Sequence, residues 1–176
     1  MRMSRLDFPD FQQERFRLQE VFRNLPTWAG NAALNFFKDS WRRGGFIDSR
    51  FERWPQRKSG QDGRGILVKT GALRRSLRLR VGKAWVEIYT SVPYAQAHNE
   101  GDTIVQTVTA RQRRYFWAMH AKAKRMGTPD ADLWRRMALS TTITIKMPKR
   151  QFMGHSKFLE RRIVLHVERA IMNALK

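Results

Sequence analysis

The chain has 176 residues, no cysteine and a formal net charge of +20, from 35 Lys and Arg against 15 Asp and Glu. The lack of cysteine excludes a disulfide framework, thiol catalysis and Cys-ligated zinc. No apolar run approaches a membrane span, and the first fifteen residues lack the apolar core of a signal peptide, so cytosolic synthesis and no membrane association are expected.

A chain of this length can bury about 70 % of its unfolded surface in one core, so a single domain over residues 1–176 is expected. The charge favours a polyanionic partner, either nucleic acid, an acidic protein surface or an anionic membrane. It also opposes the association of isolated copies.

Residues 1–43 carry two helical patterns. Phe11, Leu18, Val21, Phe22 and Leu25 share one side of a helix over 10–24, with Asp10 as its cap. Pro26 ends it, and Thr27 caps a second helix over 28–42, apolar on more than one face. That second helix reads as core, with a subunit contact as the alternative.

Residues 44–65 form a basic, irregular loop broken by Gly44-Gly45, Pro55, Ser59-Gly60 and Asp62-Gly63. Phe46, Phe51 and Trp54 are expected to pin it to the body. From Arg42 to Arg80 there are twelve Lys or Arg and only three Asp or Glu.

Residues 66–110 form the expected strand core. Thr70 caps one helical turn running to Arg75. Leu77, Leu79 and Val81 then alternate with Arg78 and Arg80, the period of a half-buried strand. Gly82-Lys83 reads as a two-residue type II′ turn, with Gly82 in a conformation costly for other residues. That turn would set Val81 opposite Ala84, Leu79 opposite Val86 and Leu77 opposite Ile88. It would also pair Arg78 with Glu87 and Arg80 with Trp85. Pro93 stops the strand. An open turn follows through His98-Asn99-Glu100 to Gly101, which takes positive φ. Residues 103–109 alternate as a further strand.

Residues 111–139 read as a helical insertion. Its first helix carries six Lys or Arg, no acid and the cluster Tyr115-Phe116-Trp117, and stops at Gly127 and Pro129. Phe116 and Trp117 are expected to pack inward. A shorter helix follows at 130–138, capped by Asp130. Residues 140–176 supply a strand, a turn through Pro148 to Gly154, and a last amphipathic helix with Leu159, Ile163, Val167, Ala170, Ile171 and Ala174 on one face. The expected class is α+β: an antiparallel sheet packed by N-terminal and C-terminal helices, with a helical insertion between two strands that pair.

No constellation for catalysis, metal or cofactor emerges, and no cofactor is expected. His98, His120, His155 and His166 lack metal-ligand spacing. His98-Asn99-Glu100 invites an acid–base reading, but such neighbours in a turn are commonly structural. The segment Gly60–Gly65 lacks the Lys-Ser/Thr of a phosphate loop, and no nucleophile elbow is present. The strongest nucleic-acid signal is Arg111, Arg113, Arg114, Lys122 and Lys124, which can neutralise phosphates beside stacking aromatics. The alternative is a basic helix docked on its own sheet or on a neighbouring subunit.

One ordered set of motifs is more specific. Leu67-x-x-Thr70-Gly71-x-Leu73-x-x-Ser76 precedes the hairpin, and Tyr94-Ala95-x-x-His98-x-x-Gly101 follows it. Phe51 and Trp54-Pro55 lie upstream. Pro148-x-Arg150-x-Phe152-x-Gly154 lies downstream. Together these pieces resemble the phage virion-morphogenesis family of tail-completion proteins, the Mu type, although Gln151 stands where that pattern has Pro. The resemblance implies a structural protein without an active site, which completes the tail or joins it to the head. It implies binding to other virion proteins and to itself, as a hexameric ring matching the tail. Its basic loops would face an acidic partner or packaged DNA. The other reading is a basic nucleic-acid-binding protein whose charge is its function.

Overall fold

The computed structural model describes residues 11–57 and 65–176. The fold is α+β, and its contacts divide the chain into two compact units. One is Glu100–Lys149; the other comprises the described chain before it, together with Arg150–Lys176.

In the latter unit, α1 is one continuous helix, Gln12–Arg43, with Pro26 inside it. The break expected at Pro26 does not occur, and Thr27 lies within the helix instead of capping a second one. An interior proline loses a backbone hydrogen bond and crowds the turn before it, at a cost of about 3 kcal/mol. Packing offsets that cost. Ala33, Phe36, Phe37 and Trp41 are buried, and α1 packs along α6 (Lys157–Ala174), β3 (Arg78–Val81) and β4 (Val86–Tyr89). Asp10, the expected cap, lies outside the described residues; Phe11 holds the N-cap position and no side chain closes it.

The segment after α1 is more regular than expected. β1 (Gly45–Ile47) and β2 (Phe51–Arg53) pair antiparallel as a small hairpin. Phe46 and Trp54 are buried in the core, as their apolar character predicts. Phe51 is not: it is 47 % exposed, and its ring lies against Gly45 on the outer side of the hairpin. Asp48, at the tip of the hairpin, accepts from the Lys157 amide at 2.9 Å through Oδ1 and from the Phe158 amide at 2.9 Å through its carbonyl. Ser156 accepts from the Leu159 amide at 3.1 Å as N-cap of α6 and donates to the Ile47 carbonyl at 2.7 Å. The helix start and the hairpin therefore satisfy each other's backbone groups.

α2 (Ala72–Ser76) is the expected helical turn, and Thr70 Oγ1 accepts from the Ala72 amide at 3.3 Å. The following hairpin forms, but its register differs from expectation. Arg78 faces Tyr89, Leu79 faces Ile88, Arg80 faces Glu87 and Val81 faces Val86. The slip is two residues on one strand. A slip of two leaves every side chain on its own face, so alternation alone could not detect it. The loop runs from Gly82 to Trp85 and is closed by the Gly82 amide donating to the Trp85 carbonyl at 2.9 Å. Gly82 does not take positive φ; glycine is favoured because the Trp85 indole folds back over it, 2.4 Å from where a Cβ would stand. The ion pair is accordingly Arg80–Glu87 at 3.0 Å, not Arg78–Glu87. The guanidinium of Arg80 stacks over Tyr89 at 4.8 Å, not over Trp85. The segment after Pro93 is helix α3 (Ala95–Glu100), not an open turn, and Gly101 takes φ 80° as expected.

In α6 the predicted face is correct: Leu159 and Ala174 are buried, and Ile163, Val167, Ala170 and Ile171 partly so. The core joins α1, the first hairpin, α2, α3 and α6 through Phe36, Trp41, Phe46, Leu73, Ala95 and Leu159, with Trp54, Leu77 and Phe152 packed among them.

In the other unit, β5 (Asp102–Thr107) and β6 (Thr142–Met147) pair antiparallel from Asp102↔Met147 to Thr107↔Thr142. The insertion between them is α4 (Ala110–Met126) and α5 (Ala131–Leu139). Thr109 and Gln112 form a reciprocal capping box at the start of α4. Val108, Phe116 and Ala138 form the core, with Trp134, Met137 and Ile143 against it. Trp117 is 41 % exposed, contrary to the inward packing expected of it. It adjoins Phe116 in sequence and falls on the next face of the helix. Asp130 occupies the N-cap position of α5, but its side chain makes no capping bond.

The described strands form three separate two-stranded ladders, not the single sheet expected. Helical segments lie between them in the chain: α2 separates β2 from β3, and α3 separates β4 from β5.

Gly45 generates a stability prediction. A Cβ there would stand 2.3 Å from the Glu52 carbonyl oxygen, a backbone atom with no rotamer to yield. Gly45→Ala should lower the unfolding free energy by about 1–3 kcal/mol, the range of overpacked cores. Denaturant unfolding of the two proteins measures it, and an unchanged midpoint would refute the close approach.

Candidate functional site

The motif segment Arg150–Gly154 is held from three sides. Phe152 is fully buried, with its ring 4.8 Å from that of Trp41. Trp41 in turn meets Trp54 edge-on at 5.8 Å. The Trp54 indole N–H donates to the Gln151 carbonyl at 2.6 Å. Asn99, at the end of α3, accepts from both the Phe152 and the Met153 amides at 3.0 Å through Oδ1. The Arg150 amide donates to the His98 carbonyl at 2.8 Å. The Arg150 side chain reaches the other way, donating through Nε to the Pro55 carbonyl at 3.1 Å and through a terminal nitrogen to that of Gln56 at 3.4 Å.

This clamp forms one wall of a cleft of about 450 Å³. Arg57, Tyr94, His98 and Arg150 line it on one side, and the segment from Leu67 to Leu73 lines it on the other. Thr70, Gly71, Leu73, Tyr94, His98 and Arg150, which the sequence motifs single out, thus meet around one cavity. Gly71 enters α2 with φ 72°, and Leu67 has φ 58°. A bulky non-glycine residue in that left-handed region stores roughly 1–3 kcal/mol of strain, and such strain gathers at functional sites. The Trp41 indole donates to the Leu67 carbonyl at 3.4 Å and helps hold the turn in place.

The cleft is electropositive. Arg57, Lys69 and Arg150 line it with His98, and no carboxylate does so among the described residues. Burial, then the charge of Arg150, holds the His98 imidazole below the ordinary value of 6.5, so it is neutral at pH 7. Its Nδ1 is buried without a hydrogen-bond partner, and its ring meets Tyr94 edge-on at 5.8 Å. Burial, then repulsion from Arg57, lowers the Arg150 guanidinium, which stays a cation at neutral pH.

The remaining motif residues are structural in placement. Ser76 donates to the Leu73 carbonyl at 2.8 Å and bonds the Thr90 hydroxyl at 2.6 Å, tying α2 to the end of β4. Ala95 is buried at the start of α3. Gly101 and Pro148 belong to the unit Glu100–Lys149, and Gly154 takes φ 139° before α6. Of the proposed nucleic-acid contacts, Arg111, Arg114, Lys122 and Lys124 lie exposed on α4. Arg113 instead donates to the Ala138 carbonyl at 2.9 Å and the Ser140 carbonyl at 3.3 Å, closing the C-terminus of α5. Among the described residues no group of three or more His, Asp or Glu is placed to hold a metal ion.

Asn99, Lys69 and Arg57 escaped the sequence reading as site residues. Asn99 stood inside a motif but was read as part of a turn. The others carried no signal beyond the local excess of positive charge.

Two stability predictions follow from this geometry. Asn99→Ala strands two backbone amides and should cost about 2–4 kcal/mol, whereas Asn99→Asp keeps the acceptor and should cost much less. Equal losses in denaturant unfolding would refute the assignment. The second concerns His98, whose folded form resists protonation more than the unfolded chain does. Its contribution therefore falls as pH drops below about 6.5 and levels off below its folded value. His98→Gln should lose less stability than the parent between about pH 7.5 and 5. A stability gap that does not vary with pH would refute it.

The profile of the phage virion morphogenesis family matches residues 48–172, well over half of the chain and all of the motif set. Neither the curated proteins nor the solved structures contain a significant match. The match spans the Trp54-Pro55 segment, the strained turn at Leu67–Leu73, the His98–Asn99 corner and the Arg150–Phe152 clamp; the chain belongs to the phage virion morphogenesis family.

Proposed function

We propose that this protein completes the phage tail or joins it to the head, acting as a hexameric ring of copies that binds other virion proteins. The observation that carries the reading is the convergence of the family's motif residues. Segments near 54, 98 and 150 are joined by buried aromatic contacts and hydrogen bonds into one wall, and the segment near 70 lines the same cleft. Its cavity offers the basic side chains of Lys69 and Arg150, suited to holding another molecule. Self-association has support as well. Each described ladder has two strands, so every described strand leaves one edge unpaired, a template for strand addition by a neighbour. Exposed apolar residues on α6, among them Val164, Leu165 and Met172, add surface that a partner can cover. No step in this role makes or breaks a covalent bond.

The reading is tested by deleting the gene from the phage or prophage and imaging the lysate. DNA-filled heads beside unattached tails, or tails of irregular length, are expected. Normally joined, infectious particles would refute it.

A further inference from the structure

We propose that the cleft between Leu67–Leu73 and the His98–Arg150 corner is a docking site for an acidic peptide segment of a partner virion protein, whose carboxylate it receives beside an apolar side chain. The inference rests on the assembly role proposed above and names the chemistry of its partner. Lys69 and Arg150 line the cleft, and no described carboxylate faces them there. A carboxylate entering beside Arg150 can accept a charge-assisted hydrogen bond from its guanidinium, with the His98 ring lining the same cleft. The depressed basicity of His98 and of Arg150 has the same origin, since burial and neighbouring cations disfavour positive charge there and an anion relieves both.

The occupant is a peptide and not a nucleic acid for reasons of shape. The cavity is concave and holds about 450 Å³, room for a few side chains but not for a duplex. Leu67, Val68 and Leu73 line it together with the cations, so an acidic residue beside an apolar one matches both parts of the wall. The strained backbone at Leu67 presents this surface in a fixed shape, which lowers the ordering cost of binding.

The test is a chemical-shift titration of the isotope-labelled full chain at fixed ionic strength. The probes are the end-capped peptide Glu-Asp-Leu-Glu-Asp-Leu, its uncharged Gln-Asn-Leu-Gln-Asn-Leu counterpart, and a short DNA duplex. The acidic peptide should shift amides over residues 69–73, 94–99 and 150, and the uncharged peptide should not. Lys69→Glu should weaken binding by at least about tenfold, while Lys122→Gln on α4 should leave it nearly unchanged. Arg150→Gln should weaken it too, but it also loses the bonds to Pro55 and Gln56. The exposed Lys69 therefore carries the test if that variant misfolds. Equal shifts from the uncharged peptide would overturn the proposal. So would shifts scattered over α4 and α6, equal losses from Lys69→Glu and Lys122→Gln, or displacement of the peptide from the cleft by the duplex. Normal particles after gene deletion would sink the assembly role; a cleft that ignores the acidic peptide would sink only this inference.

Discussion

The Trp54 indole and the Gln151 carbonyl, 97 positions apart, make the bond on which the arrangement of the motif segments depends. Closing so long a stretch of chain has an entropic cost that one net hydrogen bond of about 1 kcal/mol does not offset. Burial offsets it. Trp41, Trp54 and Phe152 pack edge-on and tilted into one aromatic cluster, and each large ring taken from water contributes roughly 1.5–3 kcal/mol. The hydrogen bond then sets position: with the indole bound, Arg150 must run back along Pro55 and Gln56, and its amide must meet the His98 carbonyl. The cleft wall is thus a by-product of core packing. That explains how residues so far apart in the chain present one surface without a disulfide.

Much of the fold was legible where one strong local signal acted alone. The last helix showed its inward face because six apolar residues recur at helical spacing, and all six are at least partly buried. The insertion was legible because an unbroken basic and aromatic run stops at Gly127 and Pro129, and Gly127 does end α4. Legibility failed where a distant contact outweighed a local preference. Pro26 is a helix breaker by its own chemistry, but the packing of α1 against α6 and the β3–β4 hairpin keeps the helix continuous through it. The hairpin register failed for another reason: a slip of two keeps both faces intact, and only the folding of Trp85 over Gly82 decides the loop.

The site was legible as a list and not as a place. Thr70, Gly71, Leu73, Tyr94, His98 and Arg150 could be picked out by motif, but nothing local says that they enclose a cavity. Asn99 shows why. Its side chain is decisive only because two amides from residues 152 and 153 arrive beside it, and sequence carries no trace of that arrival. Arg113 shows the converse. It stood in a basic run that reads as a phosphate-binding surface, yet its guanidinium is engaged by the last carbonyls of α5. Charge counted along a sequence does not distinguish a cation that caps a helix from one that waits for a ligand.

The charge itself constrains how an assembly of such subunits can form. A net +20 on 176 residues opposes contact between free copies over a Debye length of about 8–10 Å. The surface ion pairs do little to relieve it: Arg80–Glu87 and Asp39–Arg42 are solvent-exposed and contribute at most about 1 kcal/mol each, and Asp39–Arg43 is half-buried. The apolar residues exposed on α6 and the unpaired strand edges favour association, and the charge opposes it. On the proposed reading, that balance tips only where negative charge is supplied from outside, as by an acidic segment seated in the cleft. Occupation of the cleft would then do two things at once: attach the subunit to its partner and lower the repulsion that keeps a second subunit away. Binding of the partner and closure of the ring become thermodynamically linked, so each favours the other by the same factor. On that reading the protein would stay dispersed until its docking surface exists, and would assemble there.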